Sequence, residues 1–165
     1  MKKIKQFSML LFVVALTLFT SCKKDEVTYG NSDLTTSNTV ALNNWSADYD
    51  DGINFGFVGV LSWGEITQSV IDNGVVLVYL KGNGGSWYSI PYSLTSNDYS
   101  YNFSYSFEVG KVSIYCDGFD NNGSPNPSDF NGNEYKIVVI DKHQIQANPN
   151  IDLTNYEDVS NAFKL

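Results

Sequence analysis

The chain has 165 residues, many of them aromatic and few of them charged, which leaves room for one domain after a targeting segment. Its formal net charge is −8 at pH 7 and it contains no arginine, so its surface would repel the phosphate groups of nucleic acids. The composition therefore argues against a nucleic-acid partner, and its aromatic, Asn, Asp, Gly and Ser residues favour strands and turns.

Residues 1–21 have the three parts of a secretory signal peptide. The basic start is followed by an apolar run, residues 9–19, which is shorter than the roughly 20 residues that a membrane-spanning helix needs. The run ends directly before Cys22 in a sequence that resembles a lipobox, Phe19-Thr20-Ser21-Cys22. This predicts cleavage before Cys22 and lipid attachment to it. An ordinary signal peptide with an incidental cysteine and a short membrane anchor are the alternatives.

Polar and charged residues follow the cysteine. The first four, which resemble the surface-export signal of Bacteroidetes lipoproteins, are Lys23, Lys24, Asp25 and Glu26. A solvated charge run is the alternative interpretation. Residues 22–38 are predicted to be the lipidated cysteine and a flexible tether. We expect a protein held in the outer membrane through lipid on Cys22, exposed at the cell surface or, alternatively, facing the periplasm.

Residues 39–165 are predicted to form one β-rich domain. Apolar and β-branched runs indicate strands at residues 53–62, 75–81, 87–92 and 135–140. The most regular alternation spans residues 99–108, and its aromatic members are Tyr99, Tyr101, Phe103, Tyr105 and Phe107. We call these five residues the aromatic ladder. They are expected on one face of a half-buried antiparallel strand, with Phe103 as the most buried member.

The residues after the ladder predict a partner strand. Val112, Ile114 and Cys116 lie at a spacing of two, so the thiol of Cys116 is expected to face the core. If Cys22 carries lipid, Cys116 has no partner for a disulfide within the chain.

A helix is predicted near the end of the chain. Thr154 and Glu157 match a capping box, and an apolar stripe follows at Tyr156, Val159 and Phe163. Short strands joined by turns, with one late helix, predict an antiparallel, immunoglobulin-like β-sandwich with a short C-terminal helix.

Several stretches of the domain can be compared with a known family. They are residues 66–80, Trp87 with residues 90–92, residues 135–140, and the ending Ile151-Asp152 with Tyr156-Glu157. Together they resemble a family of uncharacterised small Bacteroidetes lipoproteins with a β-rich domain, over most of residues 40–165. The resemblance implies a single β-rich domain on a lipid tether and implies no activity.

Motifs for catalysis or cofactors are absent from the sequence, so the chain is predicted to be non-enzymatic and to need no cofactor. His143 is its one histidine, is expected in a solvent-exposed loop, and has no Gly-x-Ser-x-Gly elbow to accompany it. Residues 82–85 are rich in glycine but lack the Gly-Lys-Ser/Thr ending of a phosphate-binding loop, which predicts a hairpin turn.

Two acidic segments, residues 48–52 and 117–134, contain oxygen ligands of the kind that calcium prefers. Residues 129–133 follow the spacing of an EF-hand loop. Glu134 then stands where that loop has glycine, and Ile140 stands at its twelfth position. The segments are interpreted as solvated turns, and calcium binding is left open.

Aromatic side chains outside the ladder, namely Trp45, Trp63, Trp87 and Tyr88, are candidates for stacking on a sugar, although core packing is preferred for most of them. We therefore expect a lipid-anchored envelope protein with a non-catalytic binding or structural role, whose partner is a glycan or another envelope protein. The first alternative is a carbohydrate-binding accessory module of a surface glycan-uptake system, and the second is a hydrolase with an unrecognised site.

Overall fold

The computed structural model describes residues 35–165, which form a mainly β structure of two antiparallel sheets with a short C-terminal helix. The predicted fold class is confirmed. The strands are β1 (Thr35–Leu42), β2 (Ser46–Asp50), β3 (Asn54–Ser62), β4 (Val75–Lys81), β5 (Trp87–Ser89), β6 (Tyr92–Thr95), β7 (Tyr99–Glu108), β8 (Lys111–Asp120) and β9 (Asn133–Ile140). The helices are α1 (Gln68–Asn73), α2 (Lys142–Ala147) and α3 (Tyr156–Phe163), with a 3-10 helix at Pro127–Phe130.

The strands divide into a four-stranded sheet with the order β1-β9-β4-β5 and a five-stranded sheet with the order β2-β3-β8-β7-β6. β5 and β6 follow each other in the chain but belong to different sheets, because the chain crosses over at Ile90 and Pro91. The strand predicted at residues 87–92 is therefore wrong as a single element: the structure contains two short strands there.

The main core lies between the two sheets, because each sheet contributes alternate residues to it. Phe57 and Ile114 come from the five-stranded sheet and Ile137 comes from the four-stranded sheet, all at most 1 % exposed. Cys116 is fully buried here, as its spacing predicts. Burial, with a smaller contribution from Asp117, raises the pKa of the Cys116 thiol to about 12, so the thiol stays protonated and unreactive at neutral pH.

The aromatic ladder of β7 faces this core, and the prediction that Phe103 is its most buried member is confirmed. Phe103 is 3 % exposed, whereas Phe107 near the end of the strand is 40 % exposed. The hydroxyl of Tyr105 donates a hydrogen bond to the backbone carbonyl oxygen of Val76 in β4, at 2.8 Å. This bond links the two sheets across the core.

A second apolar cluster covers the outer face of the four-stranded sheet. Tyr79, Val138 and Ile140 of the sheet are fully buried there against Val159 of α3. They face away from the main core because side chains alternate along a strand. The Tyr79 hydroxyl also donates to the carbonyl oxygen of Leu153 at 2.8 Å. The apolar stripe that the sequence indicates in this helix thus packs on the sheet.

The start of α3 differs from the prediction by one residue. Asn155 is the N-cap, and its side-chain oxygen accepts hydrogen bonds from the backbone N–H groups of Glu157 and Asp158. The predicted capping box is wrong because Thr154 bonds back to Asp152 and leaves the helix N–H groups to Asn155.

The N-terminal strand corrects the predicted tether. β1 begins at Thr35 and pairs with β9, so that Thr35 lies opposite Ile140 and Asn38 opposite Ile137. Residues 35–38 therefore belong to the sheet rather than to the tether. Their polar composition is compatible with a strand because β1 is at the edge of its sheet and is only partly buried.

Candidate functional site

The four side chains considered for sugar stacking differ in how far they are buried. Trp45 and Trp63 are 9 % and 8 % exposed and belong to the main core, which confirms core packing for both and removes them as ligand contacts. Trp87 is half-buried at the start of β5. Tyr88 is 42 % exposed and stacks on Tyr92, with 4.9 Å between the ring centroids.

A cleft of about 530 Å³ opens between the turn that joins β4 to β5 and the first turn of α3. This volume lies within the range of about 300–1,000 Å³ that is typical of small-molecule sites. The cleft is lined by Gly84, Gly85, Ser86, Trp87, Asn155, Tyr156 and Glu157. We call it the Trp87 cleft. It combines two aromatic side chains with several hydrogen-bonding groups.

One wall of the Trp87 cleft is the glycine-rich turn, and its prediction as a hairpin turn is confirmed. The N–H of Gly82 donates to the carbonyl oxygen of Ser86 at 2.8 Å, and the N–H of Gly85 donates to that of Gly82 at 2.9 Å. Gly85 has a φ of +84°, a conformation that side chains disfavour. The turn thus presents backbone rather than side chains to the cleft at Gly84 and Gly85.

The aromatic wall consists of Trp87 and Tyr156. Their ring centroids lie 5.8 Å apart, with an angle of 53° between the ring planes. Tyr156 also meets the buried ring of Tyr79 edge-on, at 5.2 Å. Because Tyr79 belongs to β4 and Tyr156 to α3, the position of this wall depends on the packing of α3 against the sheet.

Lys136 fixes the two rings from the sheet side. Its ammonium nitrogen lies 4.9 Å from the ring centroid of Trp87 and 4.6 Å from that of Tyr156, and it donates a hydrogen bond of 2.5 Å to the Tyr156 hydroxyl. Both distances are typical of cation–π contacts. Within residues 35–165 the ion pairs involve other lysines, Lys81 with Glu134 and Lys111 with Glu108. The aromatic rings and the hydroxyl are thus the contacts that Lys136 makes here.

The polar side of the Trp87 cleft comes from Ser86, Asn155 and Glu157. The oxygen of Asn155 is occupied by its capping bonds, which leaves its amide nitrogen as a donor. Glu157 is exposed and supplies a carboxylate acceptor. Glu157 is the single carboxylate among the lining residues, so the cleft does not hold the pair of carboxylates that glycoside hydrolysis commonly uses.

His143 lies in the first turn of α2, not in a loop as predicted, although it is exposed as expected. Asp141 caps that helix, and its carboxylate accepts a hydrogen bond from the backbone N–H of His143 at 2.8 Å. His143 is not among the residues that line the Trp87 cleft.

The two acidic segments are only partly turns. Asp48 and Asp50 belong to β2, and Asp117 and Asp120 belong to β8. Several of their carboxylates already hold hydrogen bonds; for example, Asp120 accepts from the Tyr101 hydroxyl at 2.6 Å. In the part of the chain that the structure describes, no three His, Cys, Asp or Glu side chains converge as metal ligands.

The predicted lipid-attachment residue, Cys22, and the predicted export signal at residues 23–26 lie outside the described residues. None of the helices within residues 35–165 is long and apolar enough to cross a membrane.

Comparison of the chain with family models, with curated proteins and with solved structures found no match. The resemblance to small Bacteroidetes lipoproteins therefore stays a prediction. The candidate site rests on the geometry of the Trp87 cleft alone. Of its residues, the sequence analysis proposes Trp87 for sugar stacking, whereas it considers Tyr156 and Glu157 as parts of a helix and of the family resemblance and not as ligand contacts.

Proposed function

We propose that this chain is a lipid-anchored protein of the cell envelope that binds a neutral carbohydrate in the Trp87 cleft and catalyses no reaction. The observation that carries the ligand class is the pairing of Trp87 and Tyr156 beside Ser86, Asn155 and Glu157. A sugar ring has apolar C–H faces and a rim of hydroxyl groups. Aromatic side chains suit the faces, and a few fixed polar groups suit the rim.

The charge of the site favours a neutral sugar over an anionic one. Glu157 is the charged residue among those lining the cleft, and the chain has a formal net charge of −8. An acidic sugar would be repelled by Glu157. The ammonium group of Lys81 lies 5.7 Å from the ring centroid of Trp87, but it is paired with Glu134. Lys136 is held against the rings of Trp87 and Tyr156, where its charge serves their placement.

A non-catalytic role agrees with the single carboxylate of the cleft. The hydrolase alternative has less support, because Glu157 has no second carboxylate beside it in the lining.

We further propose that lipid on Cys22 holds the protein in the outer membrane, with Lys23, Lys24, Asp25 and Glu26 directing it to the cell surface. The support is the sequence of the signal peptide and lipobox. Several acyl chains on one cysteine give lasting attachment, because each buried methylene contributes about 0.8 kcal/mol. A carbohydrate-binding protein of a glycan-uptake system fits this location, and a periplasm-facing orientation is the alternative.

Replacement of Trp87 by alanine should weaken binding of neutral polysaccharides, because it removes the aromatic face of the cleft. Glu157→Ala should weaken it too, because the carboxylate would no longer accept charge-assisted hydrogen bonds from sugar hydroxyls. The measurement is affinity electrophoresis of the full chain in gels that contain a soluble β-glucan, a mannan or a xylan. Ligand contact should also shift the fluorescence of Trp87.

The matched control is Tyr88→Ala, since Tyr88 is the neighbour of Trp87, is exposed and does not line the cleft. Its mobility in the same gels should equal that of the unchanged chain. Glu157 is exposed, so its variant should fold normally and separate a binding defect from a folding defect. Equal retardation of the Glu157→Ala, Trp87→Ala and unchanged chains would contradict the assignment of the cleft.

The anchor is tested by Cys22→Ser, which should leave the protein unlipidated and move it to the soluble fraction or leave it as an uncleaved precursor. The reason is that the cysteine sulfur is the predicted site of acylation. Metabolic labelling with a fatty-acid analogue measures the lipid directly, and protease added to intact cells measures surface exposure of the unchanged protein. Labelling that persists in Cys22→Ser would show that the lipid is not on this residue.

A further inference from the structure

The edge of the five-stranded sheet contains an irregularity that turns an aromatic side chain outward. In the pairing of β2 with β3, Ala47 lies opposite Phe57, but Tyr49 lies opposite Gly56, so that one extra residue, Asp48, is inserted in β2. Without this insertion, Tyr49 would share the face of Ala47 and Phe57, which is the core face. The insertion places Tyr49 on the outer face, where it is 48 % exposed.

Gly56 makes room for the ring of Tyr49. A Cβ atom at Gly56 would lie 2.1 Å from Cε1 and 2.6 Å from Cδ1 of Tyr49, so the ring lies directly over the glycine. Glycine within a strand weakens the strand, and an inserted residue interrupts its hydrogen bonding. Two destabilising features of the sequence thus combine to expose one aromatic ring on the sheet.

Tyr49 begins a row of residues that crosses all five strands. The pairings Tyr49 with Gly56, Gly56 with Asp117, Asp117 with Asn102, and Asn102 with Ser93 place these side chains next to one another on the outer face. Neighbouring strands lie about 4.8 Å apart, so the row extends over about 19 Å. We call it the Tyr49 row. It is longer than a single sugar ring.

The Tyr49 row offers a carboxylate next to the position of the aromatic ring and an amide one strand further on. Asn102 donates to the backbone carbonyl oxygen of Asp117 at 3.3 Å, and Ser93 donates to the side-chain oxygen of Asn102 at 2.8 Å. The bond from Asn102 is accepted by the backbone oxygen of Asp117 and not by its carboxylate. Among residues 35–165 it is the hydrogen bond that a side chain donates to Asp117, so the carboxylate oxygens are open to a ligand. Burial, and then the charge of Asp48, raise the pKa of Asp117 above its ordinary value.

We propose that the Tyr49 row is a second carbohydrate-binding surface, which takes a neutral polysaccharide chain along the outer face of the five-stranded sheet. A sugar ring stacks on the exposed face of Tyr49 and donates a hydroxyl to Asp117, and the next sugar of the chain reaches Asn102 on the neighbouring strand. The remaining sugars of the chain follow the row towards Ser93. This surface and the Trp87 cleft lie on different sheets and share no residue, so each binds independently of the other.

The charges near the Tyr49 row exclude an anionic polymer. Asp48, Asp51 and Asp117 all lie close enough to Tyr49 to raise the pKa of its hydroxyl, after the larger effect of burial. The nearest lysine on this face of β8, Lys111, is at the end of the strand and is paired with Glu108. A polyuronate would therefore be repelled, whereas neutral hydroxyls find acceptors.

In a full chain that carries Trp87→Ala and is purified in detergent, so that the cleft no longer contributes, Tyr49→Ala should weaken binding to a soluble neutral polysaccharide by at least about tenfold, as expected for loss of an aromatic anchor. Tyr49→Phe keeps the ring and should bind within about twofold of the unchanged chain. Gly56→Ala, which must displace the ring, should behave like Tyr49→Ala although the tyrosine is still present. Affinity electrophoresis with a β-glucan, a mannan, a xylan and a polyuronate measures all of them.

Tyr88→Ala again serves as control, because Tyr88 has nearly the same exposure as Tyr49 and lies outside the row. Thermal unfolding of each variant checks that the fold is kept. To separate the two surfaces, Tyr49→Ala is also measured in a chain that carries Glu157→Ala. Equal binding by Tyr49→Ala and Tyr88→Ala, preference for the polyuronate, or no binding of any polysaccharide by the unchanged chain would overturn the proposal.

Discussion

Phe103→Ala should lower the free energy of unfolding by about 3–5 kcal/mol, because it removes a buried aromatic side chain and leaves a cavity between the sheets. Phe103 is 3 % exposed and packs against the ring of Phe130, with 6.2 Å between the centroids. Phe130 in turn contacts Phe55 and Phe57, so the cavity cannot be filled by one small movement. Urea unfolding followed by tryptophan fluorescence measures the loss.

Two controls make this result specific to the core. Phe107→Ala removes the same side chain from the same face of β7, but Phe107 is 40 % exposed, so the loss should be only about 1–2 kcal/mol. Ser104→Ala, on the opposite face, should cost under about 0.5 kcal/mol. If Phe103→Ala and Ser104→Ala unfolded at the same urea concentration, the aromatic ladder would not be part of the core.

The sequence predicted those strands in which the side-chain alternation or the apolar run is strong. The ladder of β7 and residues 75–81 of β4 are examples, since both follow the pattern that burial requires. β1 and β2 were missed because they are edge strands that pair on one side. β1 is only partly buried and β2 is exposed, so burial imposes little pattern on them. The change of sheet between β5 and β6 was missed because a periodic pattern does not report which sheet a strand joins.

The candidate sites were less predictable than the fold, for a different reason in each case. Trp87 and Tyr156 are 69 positions apart in the chain, and only the packing of α3 brings their rings together. Tyr49 was hidden for another reason. The single inserted residue, Asp48, turns Tyr49 to the opposite face of the sheet. The alternation of so short a strand does not indicate such an insertion.

Val159→Asp should detach the C-terminal segment, and we expect a loss of about 3–5 kcal/mol in the free energy of unfolding. Val159 is fully buried against Tyr79, Val138 and Ile140, where a carboxylate would have no partner in the second apolar cluster. Release of α3 would remove Tyr156 and Glu157 from the Trp87 cleft. Binding at the cleft should therefore be lost, and the emission of Trp87 should move to longer wavelength as water reaches the ring.

Ala162→Asp is the matched control, because Ala162 lies in the same helix but is exposed, so the same charge is added without being buried. Its stability should fall by only about 1 kcal/mol, because aspartate has a lower helix propensity than alanine and places a negative charge at the C-terminal end of the helix. Its binding should be normal. The five-stranded sheet makes no part of the second apolar cluster, so the Tyr49 row should still bind polysaccharide in Val159→Asp. Loss of binding at both surfaces with cooperative unfolding of the whole domain would mean that the C-terminal segment is required for the fold itself, whereas unchanged stability would place Val159 outside the interior.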